Sequence, residues 1–85
     1  MRRALRGVEL AGFITRLLGS NGFYAARHST SILVMLGERV LASIHVYGGD
    51  CILRPYRPYM SLHREAIDAL EKLLASVCSR VSRPW

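Results

Sequence analysis

Residues 31–47, SILVMLGERVLASIHVY, constrain the fold of this chain more than any other stretch. An apolar run over 32–36 meets Gly37-Glu38, and a second run over 40–47 ends on His45, Val46 and Tyr47. Two runs rich in branched side chains, joined by a short glycine-containing turn, predict a β-hairpin. The first run is apolar throughout, which predicts a strand covered on both faces. In the second, the pleat sends Val40, Ala42, Ile44 and Val46 one way and Leu41, Ser43, His45 and Tyr47 the other.

The flanking segments supply the rest of the architecture. Over residues 7–19, Leu10, Phe13, Ile14, Leu17 and Leu18 follow helical spacing and make one apolar stripe, with Glu9, Thr15 and Arg16 off it. Gly22 is suited to the left-handed conformation that closes such a helix. A short strand is predicted over 23–28, followed by a polar turn at Ser29, Thr30 and Ser31. Gly48, Gly49 and Asp50 form a turn into a further strand over 51–54. Pro55 and Pro58 then hold residues 54–59 extended or in turns. Ser61 is placed to cap a second helix. Its buried stripe is expected to be Leu62, Ala66, Ala69, Leu70, Leu73 and Val77, with Asp68 and Lys72 an i, i+4 pair on the wet face.

The order α-β-β-β-α predicts an α+β domain, two helices over a three- to four-stranded mixed sheet. Eighty-five residues make one domain, with a core at about 7–76 and a tail at about 77–85, burying roughly 60–65% of the unfolded chain's surface. No apolar run approaches the ~20 residues a membrane span needs. The first six residues lack a signal peptide's apolar segment, which points to the cytosol and to no membrane partner. Two cysteines are a poor disulfide framework, and Cys51 and Cys78 read as buried small hydrophobes. Together with His28, His45 and His63 they offer no metal-site spacing, so no metal or other cofactor is expected.

The net charge of +6 favours a polyanionic partner. Eleven of the twelve basic residues are Arg, which suits bidentate contacts to phosphate. Arg54, Tyr56, Arg57 and Tyr59 lie on the proline-stiffened segment, a pattern that suits phosphate contacts with aromatic stacking. The same pattern suits a protein interface.

The chain resembles the archaeal Holliday-junction resolvases, of the PD-(D/E)xK or restriction-endonuclease-like superfamily. The matching residues are the basic lead-in of Arg2, Arg3 and Arg6 with Glu9, the helix end and strand over 17–27 with Arg27, the hairpin, and Arg64-Glu65 of the last helix. The resemblance covers residues 2 to about 76. It implies a minimal restriction-endonuclease-like fold in which Glu9 helps to bind metal, Arg27 points at DNA, and two chains form a symmetric dimer. It also implies an Asp opening the hairpin and a Glu-x-Lys ending it. Ser31, His45 and Tyr47 stand at those positions, the hairpin turn looks one residue longer, and the family's final strand is missing or reduced to residues 77–81.

Those departures decide the chemistry expected. Such a site holds Mg2+ with hard carboxylate oxygens beside a Lys. Ser31 and His45 are poor substitutes, so Glu9, Ser31, His45 and Tyr47 read as degenerate site positions with no catalytic residue among them. The expected function is a non-catalytic nuclease-derived module. It binds nucleic acid, DNA before RNA, through Arg2, Arg3, Arg6, Arg27, Arg54, Arg57, Tyr56 and Tyr59, or it partners an active nuclease, as a homodimer. The alternatives are a metal-free ribonuclease using His45 and an active junction-resolving endonuclease. The same element order belongs to the double-stranded-RNA-binding domain, but the opening of the second helix, with Glu65 and Asp68, is too acidic for that grip.

Overall fold

The computed structural model describes residues 4–57 and 63–83. The chain runs α1 (Gly7–Ser20), β1 (Tyr24–His28), β2 (Ser31–Leu36), β3 (Arg39–Tyr47), β4 (Asp50–Pro55), α2 (Arg64–Ala75) and β5 (Arg80–Ser82). The class is α+β as expected, but the sheet has five strands, in the order β1-β2-β3-β4-β5. The first four pair antiparallel in succession, as short turns require, while β5 lies parallel to β4. A parallel pair needs a long crossover, which α2 provides.

Both helices pack into one core. Leu10, Ile14 and Leu18 of α1 and Ile67, Leu70 and Leu74 of α2 join Ile32, Val34, Ile44, Val46, Cys51 and Leu53 of the sheet. Full burial of a leucine or isoleucine contributes about 1.5–3 kcal/mol, so this single cluster dominates the stability. No helix among the described residues is long and apolar enough to cross a membrane.

Four expectations change. The first concerns β2, which is covered on one face only: Ile32 and Val34 are buried, whereas Leu33 between them is 42% exposed. Its unbroken apolar run reflects side chains held at an open surface, which alternation alone does not reveal.

The second concerns β3. Register shifts between Val34 and Met35, which pair with Ala42 and Val40, so Leu41 is the extra residue of a β-bulge. The bulge turns Leu41 into the core beside Ala42 and moves Val40 to the opposite face from Ala42. The turn itself is a tight Gly37-Glu38 pair with Leu36 opposite Arg39.

The third concerns α2. Its fully buried positions are Ile67, Leu70 and Leu74, and Ala69 is exposed. Leu70 of the expected stripe is buried and Ala66, Leu73 and Val77 pack half-buried against the core, so the stripe holds with its centre about one position later. Its N-cap position is His63, and the expected cap Ser61 lies outside the described residues, as does Leu62. Asp68 and Glu71 pair with Arg83, which follows β5.

The fourth concerns the cysteines. Cys51 of β4 and Cys78 after α2 are buried as expected, but they form a disulfide, with a Cα–Cα distance of 6.0 Å. The bond ties the chain just beyond the end of α2 to β4 of the sheet. Disulfides persist in oxidising compartments and in intracellular proteins of hyperthermophiles.

Candidate nucleic-acid interface

With both helices on one side, the pleat presents the other side of the sheet to solvent. Strand register arranges it in four rows. Tyr24, Met35 and Val40 form the first, and Ala26, Leu33, Ser43 and Arg54 the second. His28, Ser31, His45, Ile52 and Ser82 form the third, and Tyr47, Asp50 and Arg80 the fourth. Tyr24 and Tyr47 are 64% and 62% exposed. Arg54 and Arg80 are exposed, and neither guanidinium enters an ion pair or hydrogen bond among the described residues. Asp50 is the only acidic residue in the four rows.

The centre of the third row carries the one hydrogen-bonded side-chain pair on this face among the described residues. Ser31 Oγ lies 2.9 Å from His45 Nδ1, and the two residues are directly opposite across β2 and β3. Both are half-buried. Tyr47 shares their face, two residues along β3. Glu9 lies on the exposed side of α1, in the helix layer that covers the opposite face. Among the described residues no three His, Cys, Asp or Glu side chains are grouped to hold a metal ion. A hydroxyl and an imidazole satisfying one another make a stable polar bridge.

The basic residues expected to meet nucleic acid are dispersed. Arg6 reaches across the β3–β4 turn, where a Cβ added to Gly48 would stand 2.6 Å from its guanidinium. Gly7 N–H donates to Gly48 O at 2.8 Å, which fastens the start of α1 to the same turn. Arg27 pairs with Ile32 and so projects to the helix side of the edge strand, where its guanidinium donates to Ser29 O at 2.9 Å. Arg54 stands on the open face. Tyr56 and Arg57 follow β4, both exposed, and Tyr56 N–H donates to Leu41 O. Arg2, Arg3 and Tyr59 lie outside the described residues.

Charge is partitioned as well. The three acids of α2 (Glu65, Asp68 and Glu71) balance Arg64, Lys72 and Arg83, so the rest of the chain carries the whole net charge of +6. Tyr24, Leu33 and Arg80 escaped the sequence reading as surface residues. The alternation of Tyr24, Ala26 and His28 was visible in β1, but the face it served depended on where the helices packed.

Compared with protein-family models, curated proteins and solved structures, the chain matches none.

Proposed function

We propose that this chain is a non-catalytic, nuclease-derived module that binds nucleic acid. The observation that carries the reading is the open sheet face, where Arg54, and Arg80 opposite Asp50, stand outside any ion pair among the described residues, beside two exposed tyrosines. Guanidinium groups suit phosphate, and exposed aromatic rings suit bases. The resolvase-like descent is supported by the short strand after the second helix, at the place where the family carries its final strand. The Ser31–His45 bond supports the non-catalytic part, because it gives the altered site a self-contained polar bridge.

The proposal includes self-association and a cytoplasmic place of work, alone or beside an active nuclease. The edge available for pairing is β1, whose outer backbone groups face no described strand. The expected vacancy at the other edge is reduced, because β5 covers residues 50–52 of β4.

Fluorescence anisotropy with a labelled oligonucleotide at several salt concentrations tests the binding. Affinity should fall linearly on a log–log plot, with a slope of about −0.7 to −0.9 per phosphate neutralised. A protein that binds no oligonucleotide at low salt, yet co-purifies with a nuclease through moderate salt, is a partner subunit instead.

A further inference from the structure

Building on the nucleic-acid reading, we infer that the open sheet face takes single-stranded nucleic acid, with bases laid on Tyr24 and Tyr47 and phosphates held by Arg54 and Arg80. The face is unsuited to a duplex. Its exposed apolar groups include Leu33 at 42% exposure, with Met35, Val40 and Ile52 partly exposed around it. A duplex offers such a surface only sugar and phosphate, whereas an unstacked strand offers base faces. Reading a major groove also needs a protruding helix or ribbon, and both helices lie on the far side of the sheet.

Register supports the geometry. Tyr24 and Tyr47 occupy the first and fourth rows, two strands apart, which places them about 22 Å from each other by strand spacing and rise. That span accommodates several nucleotides. Arg54 lies in the second row and Arg80 in the fourth, so cationic groups accompany the path. Arg54 and Arg80 outnumber Asp50, the one acid in the four rows, so complementarity of charge favours a polyanion over a second copy of this chain, whose face carries the same net sign. Stacking and phosphate pairing do not read the 2′-hydroxyl, so DNA and RNA strands are taken alike.

The test uses the full chain and labelled oligothymidylate, oligouridylate and mixed-sequence duplex, each of about 20 nucleotides per strand. The single strands should bind at least about ten-fold more tightly than the duplex. Tyr47→Ala and Tyr24→Ala should each weaken single-strand binding by about ten-fold, the scale of one lost stacking contact, and weaken duplex binding less. Both tyrosines are more than 60% exposed, so the variants keep the core intact; circular dichroism checks this. Arg16→Glu, on the exposed side of α1, should weaken binding less than Arg54→Glu. Equal, salt-sensitive binding of strand and duplex, indifferent to both tyrosines, overturns this inference and leaves the nucleic-acid function standing. Absence of salt-sensitive binding to any probe overturns both. A dimer dispersed by Leu33→Glu assigns the face to a second copy and also overturns the inference.

Discussion

Ser31 and His45 face one another across the central strands, Oγ 2.9 Å from Nδ1. The pair is half-buried and local to one row of the sheet. Ser31→Ala should therefore cost about 1 kcal/mol, the net value of one hydrogen bond, in a urea melt. His45→Ala should leave RNA in EDTA as intact as the wild type does. Cleavage by the wild type that His45→Ala abolishes would favour the metal-free ribonuclease.

The same proximity makes the proposed nuclease descent testable. Ser31→Asp and His45→Glu would set two carboxylates on adjacent strands, within reach of one divalent ion. With Tyr47→Lys added, titration calorimetry with Mn2+ should show binding that the wild type lacks. A triple variant that folds and stays silent argues against nuclease descent.

The disulfide should be a principal staple. It closes a segment with a sequence separation of 27 residues, and the chain-entropy model assigns such a loop about 3–4 kcal/mol. Reduction, or Cys51→Ala with Cys78→Ala, should lower Tm by roughly 12–32 °C in a domain of this size. Thiol titration of the unreduced protein in denaturant should find no free cysteine.

Gly48 has φ +59 and accepts the α1 tether at its carbonyl. Gly48→Ala should cost about 1–3 kcal/mol from the left-handed backbone, while Gly48→Asn should cost less, since Asn tolerates that region. The nearby Arg6 guanidinium is the end of a flexible side chain and can move aside. Adding Arg6→Ala should therefore not rescue Gly48→Ala, and equal losses for Ala and Asn in denaturant melts would show that crowding dominates.

Self-association through β1 is checked by light scattering at tens of micromolar protein in high salt. A dimer is expected, and Arg27→Pro, which removes an outward-facing donor of the edge strand, should return the mass to about the monomer's 9.5 kDa.

Local pattern carried much of this protein. Apolar spacing in residues 7–19 located α1, and Gly22, with φ +88, ended it as its lack of a Cβ allows. The turns at Gly37-Glu38 and Gly48-Gly49 delimited the strands, and the pleat alone set Ser31, His45 and Tyr47 on one face once the pairing was known. Tertiary contacts decided the remainder. The bulge at Leu41 arises where β3 must serve both the core and its pairing with β2. The bond between residues 51 and 78, distant in the chain, ties the end of α2 to β4. The parallel docking of β5 brings Arg80 beside Asp50, and the packing of both helices on one side leaves Tyr24, Leu33 and Tyr47 in solvent. Periodicity reports which side chains of one element point together, while which of its faces is covered depends on elements tens of residues away.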